Sequence, residues 1–163
     1  MRLRSIQIKD KDVLIIGAGG AVRGVLEALL ELQPASLLIA NRTAQKAVQL
    51  ADDFSDLGNI NGCGLDAIND SSFDVVINGT SASLQGELPQ LPDTIFNLNA
   101  CSYDMMYAAE ATPFMKWSAQ CGVKNIFDGL GMLVEQAAES FFIWRGVKPE
   151  TKAVIENIRK SLG

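Results

Sequence analysis

The chain has 163 residues, 48% of them hydrophobic and 20% charged, which fits one well-cored soluble domain and not a disordered chain. A net charge of −5 argues against a nucleic-acid partner, because neutralising phosphates takes a basic surface; local donors can still hold an anionic cofactor. No apolar run approaches the ~20 residues that span a bilayer, and Met1–Ser5 leads into no signal-peptide core, so a cytoplasmic protein without a membrane partner is expected.

Residues 1–11, ending in Lys9-Asp10-Lys11, read as a lead-in or linker remnant, and residues 12–163 as one domain. Val13–Ile16 is a continuous apolar run, as in a parallel strand covered on both faces. Val22, Val25, Leu26, Leu29 and Leu30 follow at helical spacing, and Pro34 helps end that helix. Ser36–Ala40 is a second strand, with Thr43 as N-cap of a helix carrying Ala47, Val48, Leu50 and Ala51. Residues 58–64 are weakly strand-like. Phe73–Asn78 is a clear buried strand, and residues 81–93 form a loop marked by Gly86, Pro89 and Pro92. A noisier strand lies within 95–103. Thr112-Pro113 opens a helix that runs to about Gln120 and stops at Gly122. Val123–Phe127 is a sixth strand. Leu130, Leu133, Val134, Ala137, Ala138, Phe141 and Phe142 form a helical stripe closed by Gly146 and Pro149, and a last helix over about 150–160 should bury Val154, Ile155 and Ile158. Strands alternating with helices across long connections argue for a parallel sheet with helices on both faces. The expected fold is α/β, a Rossmann-like doubly wound sheet of about six strands in the order 3-2-1-4-5-6 with a C-terminal helix.

Histidine is absent, which excludes a His base, a Ser–His pair and a His-based zinc site, and no metal site is expected. Cys63, Cys101 and Cys121 have no C-x-x-C spacing and read as reduced, mostly core-filling thiols. The chemistry sits in the turn Gly17-Ala18-Gly19-Gly20-Ala21, between the first strand and helix. Such a turn brings backbone N–H groups against a pyrophosphate at a helix N-terminus. The third glycine of G-x-G-x-x-G is replaced by Val22, and a tight turn with no ligand would use the same residues. After the second strand, where NAD-binding units place an acid, stand Asn41-Arg42-Thr43, with Lys46 one turn along. A guanidinium there suits a 2′-phosphate, hence NADP. Arg42 and Lys46 as ordinary exposed helix charges is the plainer alternative.

The ordered motifs Gly17–Gly24, Asn41-Arg42-Thr43, Ile77-Asn78-Gly79-Thr80-Ser81, Tyr103-Asp104-Met105-Met106-Tyr107, Thr112-Pro113-Phe114 and Asp128–Ala137 make the chain, from about residue 12 to its end, resemble the C-terminal NADP-binding half of shikimate dehydrogenase. The resemblance implies an NADP-dependent oxidoreductase of aromatic amino-acid biosynthesis that reduces 3-dehydroshikimate to shikimate reversibly. It implies that Gly17–Ala21 holds the pyrophosphate, and that Asn41, Arg42, Thr43 and Lys46 hold the 2′-phosphate and adenine side. Thr80 and Ser81 would line the cofactor channel, Met105, Gly129 and Met132 would border the nicotinamide, and Tyr107 and Gln136 would reach the substrate. Gln136 as a polar flank, Tyr107 as a core-edge aromatic and the methionines as gap-fillers are the structural alternatives. Asp104 reads as structural.

Ala82-Ser83 departs from the family's pattern. The family's catalytic Lys and Asp belong to an N-terminal substrate domain, and nothing before the glycine turn resembles their motifs. The expectation is therefore a cofactor-binding piece with no catalytic residue of its own, negligible turnover alone, and self-association through apolar surface that a partner domain would cover. A free-standing NADP-binding regulatory or sensor module is the alternative. A methyltransferase-like nucleotide fold is disfavoured, because its cofactor carries no 2′-phosphate for Arg42.

Overall fold

Val13, Leu14, Ile15 and Ile16 are all fully buried, because β1 (Asp12–Ile16) lies inside a sheet covered on both faces. A computed structural model describes residues 6–68, 71–82 and 88–162. After β1 come α1 (Gly20–Leu30), β2 (Ser36–Asn41), α2 (Ala44–Asp52), β3 (Ile60–Gly64), a 3-10 turn (Leu65–Ala67), β4 (Phe73–Asn78), β5 (Phe96–Asp104), α3 (Pro113–Gln120), β6 (Asn125–Asp128), α4 (Leu130–Arg145) and α5 (Lys152–Leu162). The six strands are all parallel, in the order β3-β2-β1-β4-β5-β6. That is the expected doubly wound sheet.

The two-residue strand period splits the core. Val13 and Ile15 pack with Val22, Leu26 and Leu29 of α1 on one face. Leu14 and Ile16 pack with Ile68, Phe73, Ile95 and Phe114 on the other. Each such side chain contributes roughly 1.5–3 kcal/mol. Ile6 and Ile8, read as part of the lead-in, are buried in the first of these clusters.

Three local expectations differ from the structure. β5 is noisy in sequence because its register slips: Phe73 pairs with Phe96, yet Val75 pairs with Cys101, and Asn99 takes φ +63° in between. Thr43 occupies the N-cap of α2 but makes no side-chain cap, whereas the Thr112 hydroxyl accepts from the Met115 N–H at 3.3 Å. The last two helices bury far less than their periodicity suggests. α4 buries Leu130, Val134 and Ala138, but Leu133, Phe141 and Phe142 are exposed, as are Ile143 and Trp144. α5 buries none of its residues: Val154 is exposed, and Ile155 and Ile158 are half-buried. Periodicity records that a face is apolar, not what covers it. Of the loop read over 81–93, residues 83–87, with Ser83 and Gly86, lie outside the described residues. Among the described residues no helix is long and apolar enough to cross a membrane.

Candidate functional site

The strand order reverses at β1, whose neighbours β2 and β4 lead to opposite halves of the sheet, and open α/β sheets bind ligands at that switch point. Gly17 leaves β1 with φ +109°, a conformation that only glycine adopts without strain. Its N–H donates to the Ala40 carbonyl at 2.8 Å, and the Gly79 N–H donates to the Ile16 carbonyl at 2.8 Å. A Cβ on Gly17 would stand 3.2 Å from the Gly79 carbonyl and from Thr80 Cγ2, so the glycine lets the β1 and β4 loops touch. Gly19 and Gly20 are exposed and face open space. Gly19 is the N-cap of α1, no side chain caps that terminus, and no acid stands in its first turn. Its N–H groups are therefore donors for an anion.

A groove of about 530 Å³ runs from this turn along α2, lined by Ala18, Gly19 and Gly20 on one side and by Thr43 and Lys46 on the other. The Asn41 amide donates to the Thr43 carbonyl at 3.0 Å and so shapes the corner. Arg42 is exposed at the start of that corner but is not part of the groove lining, which separates it from Lys46. Neither cation has an ion-pair partner among the described residues. Sequence reasoning missed Arg23, Gln49 and Asp53 in the same lining. Arg23 donates to Asp53 Oδ2 at 2.6 Å. The two lie thirty residues apart, so no local pattern announces them.

Beyond the groove the loops after β4 and β5 are tied by a buried network. Asp104 is fully buried and accepts from the Asn78 amide at 3.0 Å, the Met106 N–H at 3.0 Å and the Thr112 hydroxyl at 2.5 Å. Asn78 in turn accepts from the Thr80 N–H at 3.1 Å and the Thr80 hydroxyl at 2.8 Å. The structural reading of Asp104 fits that placement, and Thr80 is held over Gly17 by the same chain of bonds. Ser81 follows, exposed.

Met105 is buried against the first core cluster, and a Cβ on Gly129 would overlap its carbonyl oxygen. The Gly129 N–H also donates to the Met106 carbonyl at 3.0 Å. Met132, half-buried, lines a second cavity of about 400 Å³ with Tyr103, Asp128 and Arg159. Arg159 of α5 hydrogen-bonds Asp128 there. The Tyr103 phenol is pushed up to about 12 by burial, with Asp128 and Asp104 adding to the shift, so it stays protonated through neutral pH. Tyr107 and Gln136 are exposed, on the β5–α3 connection and on α4. The candidate residues thus form a groove set around α1 and α2 and an edge set at β5 and β6, joined by the Thr80 loop. Cys101 is buried, with its thiol pushed up to about 12 by that burial, while Cys63 and Cys121 are half-buried.

What this topology and turn define is a Rossmann-type α/β domain, with a switch-point groove of the kind that takes a dinucleotide. Residues 2–85 match the family model described as Shikimate / quinate 5-dehydrogenase, and residues 129–159 match that of the Shikimate 5'-dehydrogenase C-terminal domain. The chain belongs to the shikimate/quinate 5-dehydrogenase family.

The chain is 57% identical over 155 residues to the shikimate dehydrogenase (NADP(+)) of Cellvibrio japonicus, covering 95% of this chain and 56% of that protein. It is 55% identical over 162 residues to that of Chromohalobacter salexigens, covering 99% and 59%. Among solved structures, an Ael1 enzyme from Pseudomonas putida superposes with a TM-score of 0.85 at 41% identity, covering 96% of this chain and 57% of the other. Shikimate dehydrogenase from Aquifex aeolicus superposes with a TM-score of 0.79 at 29% identity, covering 96% and 57%. The chain spans about half the length of the curated relatives it matches.

Proposed function

We propose that residues 12–163 are the NADP-binding region of a shikimate dehydrogenase, whose intact form reduces 3-dehydroshikimate reversibly with NADPH. The observation that carries this reading is the end of β2, where Asn41, Arg42 and Thr43 stand in place of an acid and Lys46 faces the groove. A carboxylate there would accept from a ribose 2′-hydroxyl; a guanidinium and an ammonium suit a 2′-phosphate. The uncapped N-terminus of α1, with Gly17, Ala18, Gly19, Gly20 and Ala21, fits a pyrophosphate, since Gly19 and Gly20 leave room for its oxygens.

NADPH supplies the hydride when bound. The chain's own residues bind and orient: Thr80 and Ser81 line the path from groove to edge, and Met105, Gly129 and Met132 form the apolar wall at the nicotinamide end. Tyr107 and Gln136 offer a hydroxyl and an amide to the substrate. None of these is a proton-transfer pair. Tyr103 holds its proton through neutral pH, and Asp104 is committed to its hydrogen-bonded network. In this reading the 163-residue chain binds NADPH and turns over negligibly by itself.

Calorimetric titration with NADPH and NADH tests the assignment. Arg42→Ala should weaken NADPH by about 1.5–3 kcal/mol, one hydrogen bond to a charged group, and leave NADH nearly unchanged. Equal losses for both would remove the 2′-phosphate reading. Shikimate-dependent reduction of NADP at a robust rate by the purified chain would refute its lack of a proton-transfer pair.

A further inference from the structure

Arg23 stands one turn into α1, past the glycine turn, and its side chain is half exposed. It lines the groove together with Gly20, Thr43 and Lys46. Its guanidinium donates one N–H to Asp53 Oδ2 and lies over the Phe54 ring, 5.4 Å from the centroid. Asp53 caps the far end of α2, and its other oxygen accepts from the Gln49 amide at 3.0 Å. A guanidinium has five N–H donors, and this bond uses one. An exposed pair of this kind contributes little, whereas guanidinium–phosphate bonds are among the strong ones. A flexible arginine in a groove that takes a phosphate therefore gains by changing partners.

Resting on the proposed NADP reading of the groove, we propose that Arg23 is a further specificity-determining cation, held on Asp53 in the free chain and transferred to the phosphate-bearing ribose when the dinucleotide seats. Asp53 is then a competitor that sets how strongly NADPH is preferred over NADH. The pairing keeps the guanidinium at the groove wall and compensates the carboxylate until the exchange occurs.

The test is a titration of NADPH and NADH against the chain and four variants, with far-UV circular dichroism confirming that each folds. Arg23→Gln should weaken NADPH about tenfold, the contribution of one hydrogen bond to a charged group in a water-exposed groove, with NADH nearly unchanged. Arg23→Lys should keep part of that preference, since its charge remains while its forked geometry is lost. Asp53→Asn should tighten NADPH about threefold by releasing the arginine, again without effect on NADH. In the double variant Arg23→Gln/Asp53→Asn, the Asp53 change should do nothing, because no cation is left to release.

A purely architectural clamp between α1 and α2 predicts otherwise: Asp53→Asn would weaken both cofactors, and that result overturns the proposal. So would an Arg23→Gln chain that keeps its full NADPH preference. These failures are separate from failure of the groove reading, which shows as a parent chain that does not distinguish NADPH from NADH.

Discussion

Asp104→Ala tests the joint between fold and site. Asp104 is fully buried, and it accepts from the Asn78 amide, the Met106 N–H and the Thr112 hydroxyl. Truncation strands those donors. Each bond to a carboxylate contributes about 1.5–3 kcal/mol, but the Thr112 hydroxyl can turn away and the part-buried Met106 N–H can reach water. The expected loss is therefore about 3–5 kcal/mol, a large share of a total stability of about 5–15 kcal/mol. For a domain of this size it corresponds to a fall of roughly 10 °C in melting temperature. Urea unfolding followed by circular dichroism and tryptophan fluorescence reads it directly. Asp104→Asn keeps one acceptor oxygen and should lose less than half as much. A midpoint shift worth under about 1 kcal/mol for Asp104→Ala, with unchanged slope, would refute the reasoning, because it would show the donors satisfied elsewhere.

Gly129→Ala should destabilise by about 1–3 kcal/mol, since the added Cβ overlaps the Met105 carbonyl, a backbone atom that cannot step aside. Gly131→Ala, two residues on and facing open space within α4, should instead stabilise by about 0.5–1 kcal/mol, and parallel urea melts compare the pair. The Arg23 guanidinium, followed by the Gln49 amide, holds the Asp53 carboxyl below the usual carboxylate range. A depressed native value makes the contribution of Asp53 fully present above the unfolded value of about 4 and lost as pH falls through the native one. The stability gap between the parent chain and Asp53→Asn should therefore close on acidification below about pH 4; a gap that widens there would contradict the pairing. The exposed Phe141, Phe142, Ile143 and Trp144 make concentration-dependent self-association the expected behaviour of the purified chain. Ile143→Lys with Trp144→Glu should abolish it in sedimentation velocity, and a parent chain that stays monomeric at high concentration removes the idea.

How much of this was legible depends on how far apart the interacting residues lie. β1, the turn at Gly17 and the N-terminus of α1 are contiguous, so an apolar run meeting glycines announces both the strand and the helix start that no side chain caps. The Thr112-Pro113 start of α3 was equally local, and its hydroxyl does cap the helix. The slip in β5 was hidden because it depends on pairing with β4: Asn99 reads as an ordinary polar residue until the neighbouring strand shows that it sits in a bulge. The exposure of the apolar faces of α4 and α5 is hidden in the sequence for a related reason. Leu130, Val134 and Ala138 find cover, while Phe141 and Phe142, with the same spacing, do not.

The site divides along the same line. Its backbone donors and its β2 corner come from short motifs, because bringing N–H groups to a phosphate is a local act of the chain. Its charge balance does not. Arg23 meets Asp53 across thirty residues, and Asn78 meets Asp104 across twenty-six. The first pair exists because α1 and α2 pack side by side, which sets Arg23 against the C-cap of α2, and the second because the carboxyl ends of β4 and β5 are neighbours in the sheet. A motif can thus mark where the proposed cofactor would lie. Which cations are free to meet it is decided by carboxylates elsewhere in the chain, and for that reason Arg42 and Arg23, alike in sequence, stand differently: one without an ion-pair partner among the described residues, the other held until something stronger than Asp53 arrives.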